Sequence, residues 1–211
     1  MTAGKSWTKK EVKEYISDYT AVTVPINVTF EGKQKILNMP QVERILRASS
    51  SIAITDCQCR VEVKGCDAPV DVCLSLNDEA EERVKNGNGK KASLREALAT
   101  LRRSNEAGLV HVAYANRGDK KLIYICGCCS CCCYSFAAMQ KFGFNDAVMS
   151  SEMIAVQDDD LCNGCGDCAD RCHFKARAME EGRLIFEKDK CSGCGLCVTS
   201  CTSGAISLVG R

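Results

Sequence analysis

Cys162-Asn-Gly-Cys165-Gly-Asp-Cys168-Ala-Asp-Arg-Cys172 is the stretch that decides the fold of the carboxyl-terminal part of the chain. The same pattern returns as Cys191-Ser-Gly-Cys194-Gly-Leu-Cys197-Val-Thr-Ser-Cys201, with eighteen residues between the two copies. Each copy has the spacing C-x2-C-x2-C-x3-C and a glycine on each side of its second cysteine. Three thiolates at this spacing can turn toward one centre only if the backbone curls tightly, and glycine permits that curl.

This spacing is typical of [4Fe-4S] ligation, in which the fourth cysteine of each copy binds the cluster of the other copy. Residues 158–211 therefore resemble a dicluster ferredoxin domain of the two-[4Fe-4S] type. The assignment that follows has one cluster on Cys162, Cys165, Cys168 and Cys201, and a second on Cys191, Cys194, Cys197 and Cys172. Proline usually follows the fourth cysteine of each copy in that family, whereas His173 and Thr202 stand there in this sequence.

The cysteine content is the extreme feature of the composition, with eighteen cysteines among 211 residues. A disulfide framework is typical of small secreted domains, and the first residues contain no apolar segment of a signal peptide. Zinc ribbons use C-x2-C pairs, which fit the two repeats poorly. The composition therefore favours a metal-loaded protein in a reducing cytoplasm.

Ten further cysteines lie upstream of the repeats, in two groups. The first group is Cys57, Cys59, Cys66 and Cys73, and the second is Cys126, Cys128, Cys129, Cys131, Cys132 and Cys133. Adjacent thiols point in different directions on a strand or a helix, so the second group cannot all face one metal. We expect Cys126 and Cys128 to form a ligand nest with the first group, and one or two cysteines to be left over.

Three interpretations of these ten thiols stay open. They could hold two further [4Fe-4S] clusters, one larger fused cluster, or one cluster together with zinc or a redox disulfide. The arrangement over residues 52–211 resembles multi-cluster ferredoxin-type proteins of anaerobes, on the basis of Cys57-Gln-Cys59-Arg60, Ala107-Gly-Leu-Val-His111 and the cysteine run. That resemblance implies electron transfer in anaerobic metabolism.

The remaining pattern predicts an α+β chain, with a small cysteine-rich α/β metal-binding domain over residues 1–150 and the ferredoxin-like domain over 151–211. Capping-box signals at Thr8 and Ser93 predict helices over residues 7–18 and 93–105. Alternation predicts a strand over 21–30, interrupted at Pro25, and a hairpin over 108–125 with its turn at 116–119. We also expect a helix over 40–48, short strands at 52–55 and 154–156, and a loop between Cys57 and Cys73.

The function predicted from these features is a relay of low-potential electrons between redox protein partners, or within a larger oxidoreductase complex. A reductase with an unusual upstream cluster as its active site is the alternative. A redox-sensing DNA-binding regulator is less favoured, because the helix over 93–105 has acidic residues beside its basic ones, and we expect no nucleic acid partner. The uncharged run 122–139 contains six cysteines, so a metal-binding loop that leads into a helix explains it better than a membrane span.

Overall fold

The computed structural model describes residues 5–23, 38–116 and 122–211. The helices are α1 (Lys9–Asp18), α2 (Asn38–Ala48), α3 (Gln58–Val63), α4 (Asn77–Lys85), α5 (Leu94–Glu106), α6 (Tyr134–Phe142), α7 (Asp167–Asp170) and α8 (Leu196–Ser200). The strands are β1 (Tyr19–Thr23), β2 (Ile52–Thr55), β3 (Cys73–Leu76), β4 (Lys90–Lys91), β5 (Val110–Asn116), β6 (Leu122–Cys128), β7 (Met153–Gln157), β8 (Arg177–Glu180), β9 (Arg183–Phe186) and β10 (Ile206–Gly210). The mixture of helices and strands confirms the α+β class.

An antiparallel six-stranded sheet in the order β1-β5-β6-β3-β2-β4 forms the centre of the upstream part. Successive side chains of a strand point to opposite faces. On one face, Leu74 and Ile125 pack against Leu46 of α2 and Leu101 of α5 in a buried apolar core. The other face carries the cysteines and tyrosines of β3, β5 and β6. Tyr15 of α1 and Tyr134 of α6 line the same cavity as these side chains.

The carboxyl-terminal part contains two antiparallel strand pairs, β7 with β10 and β8 with β9. The short helices α7 and α8 follow the two cysteine loops. Ile154, Ile206 and Leu208 form a small core that also contains Cys168 and Cys191. Apolar burial in this unit is limited, so bound metal would supply much of its stability.

Both predicted capping boxes are confirmed. Thr8 and Glu11 begin α1, and Ser93 and Glu96 begin α5, each with the reciprocal side-chain and backbone hydrogen bonds. The strand predicted over 21–30 begins earlier, at Tyr19, and its part from residue 24 onward lies outside the described residues, as does most of the predicted hairpin turn. Within the part of the chain that the structure describes, no helix is long and apolar enough to cross a membrane.

The expectation of a loop between Cys57 and Cys73 was wrong, because α3 lies within it and β3 begins at Cys73. The helix α3 has only six residues, and Lys64 directly after it is its C-cap, with a left-handed φ of 52°. That turn reverses the chain directly before Cys66. Cys59 and Cys66 are therefore directed to different places.

Candidate metal centres

The two carboxyl-terminal cysteine loops have the curled backbone that the spacing predicts. Gly164 and Gly166 have φ of 70° and 86°, and Gly193 and Gly195 have φ of 65° and 82°. Such left-handed values are costly for residues with a Cβ atom. At Gly193 an added Cβ would lie 2.0 Å from the backbone oxygen of Met153, so the loop also packs closely against β7.

Four of the predicted ligands surround one small cavity in this part of the chain. Cys191, Cys194 and Cys197 line it together with Cys172, the fourth cysteine of the other copy. The backbone N–H of Ala176 donates to Cys172 Sγ at 3.2 Å, which is the kind of hydrogen bond that stabilises a thiolate ligand. Burial raises the pKa of Cys197 to about 12, so this thiol ionises only when a cation offsets the charge.

The buried guanidinium of Arg177 lies between the two predicted ligand sets. It is 3% exposed, and its charge acts on Cys168 of one set and on Cys197 of the other. Among the described residues, its Nε and Nη2 atoms have no hydrogen-bond partner. A buried cation with free donors fits two anionic iron–sulfur clusters, one on each side.

The other predicted set is more exposed. Cys165 is exposed and Cys162 and Cys201 are half-buried, whereas Cys168 is buried on α7. Cys201 Sγ lies 3.5 Å from Ser203 Oγ. The division of these eight cysteines into two ligand sets stays a prediction.

The ten upstream cysteines form two groups, and the division differs from the expected one. Cys66, which we expected near Cys57 and Cys59, lies with Cys129, Cys131 and Cys132. The Sγ atoms of these four residues are all within 4.8 Å of one another. We call this group the four-thiol site.

The other six cysteines line a cavity of about 230 Å³, which we call the six-thiol cavity. They are Cys57, Cys59, Cys73, Cys126, Cys128 and Cys133. Pairwise interactions that shift the thiol pKa values link these residues in the order 126–73–57–59–133–128, and the first and last members are neighbours on one face of β6. Cys129 of the four-thiol site also reaches the lining. Every upstream cysteine therefore belongs to one of the two groups. The expectation that one or two of them bind no metal stays a prediction.

Two members of the six-thiol cavity favour the thiolate. Hydrogen bonds from Cys59 and Cys73 lower the pKa of Cys57 to about 3. Hydrogen bonds from Cys128 and Cys59 hold the pKa of Cys133 well below its usual range. Cys57 and Cys133 directly precede α3 and α6, where the positive end of the helix dipole acts in the same direction. The cavity can therefore supply anionic sulfur ligands to a metal centre.

Tyrosines form the rest of the wall. All five tyrosines of the chain line the six-thiol cavity: Tyr15, Tyr19, Tyr114, Tyr124 and Tyr134. Tyr114 Oη lies 3.7 Å from Cys128 Sγ and 3.0 Å from Ser135 Oγ. The rings of Tyr15 and Tyr134 stack with centroids 4.8 Å apart. The tyrosines stand singly along the sequence, so the sequence did not predict that they would line one cavity.

Arg60 connects the two upstream groups. Its guanidinium is 2% exposed and donates to the carbonyl oxygens of Pro69 and Gly127, each at 2.7 Å. Its Nη2 lies 3.8 Å from Cys129 Sγ, and its charge also acts on Cys57. A buried cation between two sets of thiols favours their ionised, metal-binding form.

His173, which stands where the ferredoxin family usually has proline, joins the two parts of the chain. Its Nε2 lies 2.8 Å from the Gly108 carbonyl oxygen, and its Nδ1 lies 3.0 Å from the hydroxyl of Ser130. Ser130 stands between Cys129 and Cys131. The neighbouring Arg171 donates to the backbone oxygens of Asn105 and Glu106 at 3.3 and 3.0 Å.

A shared apolar core reinforces this contact. Phe136 of α6 packs with Leu196 and Phe174 from the carboxyl-terminal part, and Cys194 borders the same core. Cys128 and Cys133 of the six-thiol cavity belong to it as well. The second predicted ligand set of the tail and the six-thiol cavity therefore border one buried region.

Part of the chain matches a known protein family. The family model described as a 4Fe-4S binding domain matches residues 184–207, which contain the second cysteine repeat. No curated protein matches the chain. The matched segment supports a ferredoxin-type iron–sulfur domain at the carboxyl terminus, and with it a general role in electron transfer.

Proposed function

We propose that this chain relays low-potential electrons between redox protein partners in anaerobic metabolism, using two [4Fe-4S] clusters in its tail and an upstream centre in the six-thiol cavity. The bound clusters would supply the one-electron chemistry. The protein would position them, shield them from water and present them to partners.

The observation that carries this proposal is the contact through His173. His173 directly follows Cys172, a predicted ligand, and its side chain forms a hydrogen bond with Ser130 within the upstream cysteine run. The buried core around Phe136 contains Leu196 of the tail together with Cys128 and Cys133 of the six-thiol cavity. The hydrogen bond to Ser130 leads to the neighbouring Cys129, which also reaches the lining of the six-thiol cavity. Redox sites held together by such contacts suit internal electron transfer better than two independent sites would.

The surface of the tail supports transient docking. Residues 152–211 carry ten acidic and seven basic side chains, a net charge of −3, whereas the whole chain has +1. Cys165 is exposed, and Leu161 beside the first ligand is 53% exposed. Asp158, Asp159 and Asp160 precede it. An apolar residue within an acidic rim is typical of small electron-transfer interfaces.

A reductase is the second candidate, and the lining of the six-thiol cavity favours it. The wall contains Asp56, Gln58 and Arg83 as well as the five tyrosines. Polar and aromatic groups beside a metal centre could orient a small substrate. The relay proposal expects these groups to shield the centre.

Anaerobically purified full-length protein tests the proposal. It should contain at least about twelve irons per chain with equal acid-labile sulfide, and a low-potential donor should reduce it in several spectroscopically distinct steps. Reoxidation by a partner protein should slow with added salt, because acidic docking surfaces are screened. Turnover of a small substrate by the isolated chain would reject the relay in favour of the reductase. An iron content near eight would exclude an upstream iron centre.

A further inference from the structure

The four-thiol site has the dimensions of a single-ion site. Cys66 Sγ lies 3.8 Å from Cys129 Sγ and 3.9 Å from Cys132 Sγ, and Cys131 and Cys132 are 3.8 Å apart. A tetrahedral ion with metal–sulfur bonds of about 2.3 Å sets its four sulfur ligands about 3.8 Å apart. The observed spacings therefore match one ion at the centre of four thiolates.

The other cysteine groups provide an internal comparison. In a cubane each thiolate binds a different iron, so the four sulfurs stand farther apart than around one ion. Within the described residues, neither the tail cysteines nor those of the six-thiol cavity place three thiols within 4.8 Å of one another. The compact spacing is thus specific to the four-thiol site, although all these cysteines belong to one chain and one fold.

The surroundings of the site suit a metal bound to four thiolates. The backbone N–H groups of Ala68 and Gly65 lie near enough to Cys66 and Cys132 to oppose a rise in the thiol pKa, and Arg60 lies beside Cys129. These donors offset the charge of −2 that four thiolates and a divalent ion carry. Gly65 leaves little room for a side chain, because an added Cβ would lie 3.1 Å from the Cys131 carbonyl oxygen and 3.2 Å from Cys132 Sγ. The loop after α3 therefore closes directly over the sulfur atoms.

We propose that Cys66, Cys129, Cys131 and Cys132 bind one zinc(II) ion, separately from any iron–sulfur cluster. Four protein thiolates leave no open coordination position, which is the arrangement of structural zinc sites. Thiolate sites bind zinc more tightly than iron(II). The ion links the loop after α3 to the loop after β6. The indole N–H of Trp7 also holds the loop after β6, because it donates to the Cys132 carbonyl oxygen at 2.7 Å.

Metal and sulfide analysis of the full-length protein, prepared anaerobically with iron and zinc present, tests this site. The wild-type protein should contain one zinc per chain. Cys66→Ser should lower zinc by about tenfold or more, because one of four ligands is lost, and leave iron and acid-labile sulfide unchanged. Cys59→Ser is the matched control in the six-thiol cavity. It should lower iron and sulfide and leave zinc unchanged.

X-ray absorption at the zinc edge gives a result that does not depend on the folding of any variant. Wild-type protein should show four sulfur neighbours at about 2.3 Å and no second metal shell. Wild-type protein without zinc, or with zinc bound to oxygen or nitrogen, would overturn the proposal. Loss of sulfide together with iron in Cys66→Ser, from a wild-type protein that lacks zinc, would assign a cluster to these four cysteines instead. Neither result depends on whether the chain acts as a relay.

Discussion

Arg60 shows how much a single buried side chain controls here. Its guanidinium holds the loop after α3 through Pro69 and the end of β6 through Gly127, and it faces thiols of both upstream groups. Removing one partner from a buried charged network leaves the other groups uncompensated. We therefore expect Arg60→Leu to lower the free energy of unfolding by about 3 kcal/mol and to reduce upstream metal content.

Anaerobic urea denaturation with metal analysis checks this prediction. Arg102→Leu is the control, because Arg102 is exposed on α5 and the same substitution there should change stability little. Arg60→Lys should give an intermediate loss, since lysine keeps the charge and lacks the planar fork that contacts two carbonyl groups. Equal stability of Arg60→Leu and the wild-type protein would contradict this role.

His111 provides a pH dependence. The side chain is 1% exposed in β5, and burial lowers its pKa to about 4, although a hydrogen bond with the Leu101 backbone opposes the shift. The unfolded chain binds a proton near pH 6.5 and the folded chain does not. The stabilisation is therefore complete above that pH and is lost as the pH falls toward 4. At pH 5 the loss amounts to about 2 kcal/mol.

The variant His111→Gln keeps a hydrogen-bond donor in this position and removes the titration. Its stability should fall less steeply than that of the wild-type protein between pH 7.5 and pH 5. Urea denaturation at several pH values measures both slopes. Acid loss of metal affects the two proteins alike, so identical slopes would exclude His111 as the source.

The sequence identified every cysteine of the upstream groups, but it did not predict how they divide. Cys66 joins the later residues Cys129, Cys131 and Cys132, and Cys133 joins the earlier residues of the other group. This exchange depends on the left-handed turn at Lys64 and on the start of α6 at Tyr134. The spacing of the cysteines predicts that they are metal ligands. It does not predict the direction that the backbone takes after a short helix such as α3.

At the level of the elements, the two cysteine repeats are alike in sequence and different in packing. Gly164 and Gly193 occupy equivalent positions with similar positive φ, yet an added Cβ meets nothing at Gly164 and the Met153 oxygen at Gly193. Both alanine substitutions should cost about 1 kcal/mol in backbone strain. Only Gly193→Ala should also displace the second loop from β7.

Iron and sulfide content after anaerobic purification separates the two variants. We expect Gly193→Ala to lose the cluster of Cys191, Cys194 and Cys197 in a large share of molecules, and Gly164→Ala to stay close to the wild-type content. Equal losses in both variants would show that strain alone is responsible. The close packing at Gly193 would then have no separate effect.

Local signals predicted some elements well and others poorly. The capping boxes at Thr8 and Ser93 located α1 and α5 because each motif satisfies its own backbone donors within a few residues. The helix α3 and the strand β3 were missed, since a six-residue helix and a four-residue strand have weak periodicity. Both are held by contacts with distant residues. Cys57 N, for example, donates to the Val70 carbonyl oxygen at 2.7 Å.

The whole molecule adds what neither repeats nor elements specify. In the strand order β1-β5-β6-β3-β2-β4, the early strand β1 pairs with β5, and the late strand β6 lies between β5 and β3. Residues far apart in the sequence thereby become neighbours in the sheet. Three of the five tyrosines lie on the neighbouring strands β1, β5 and β6, and the other two lie on α1 and α6. They meet around one cavity only because these elements come together in the folded chain. Such long-range pairings follow from burial across the sheet, so composition and spacing could predict the α+β class and not the site that it encloses.

The contact through His173 leads to a prediction about the coupling of the two parts. His173→Leu removes the hydrogen bonds to Ser130 and to the Gly108 carbonyl oxygen while an apolar side chain keeps part of the packing against Phe136. In full-length protein with unchanged iron content, electron transfer between the tail and the upstream centre should slow. We expect roughly a tenfold decrease, equivalent to about 1.4 kcal/mol in the barrier. Rapid reduction by a pulsed donor, followed by optical and electron paramagnetic detection, measures this rate.

A double-mutant cycle with Ser130→Ala tests whether the hydrogen bond itself is responsible. If the path runs through the His173–Ser130 pair, each substitution alone should slow the transfer, and the double variant should be little slower than either single one. Gln140→Ala is the control. The Gln140 side chain donates to the backbone oxygen of His173 at 2.6 Å, so this substitution removes a hydrogen bond to His173 and leaves the His173–Ser130 bond in place. Additive effects, or a rate in His173→Leu equal to that of the wild-type protein, would mean that electrons pass between the parts by another route, with the packed core around Phe136 and Leu196 as the remaining contact.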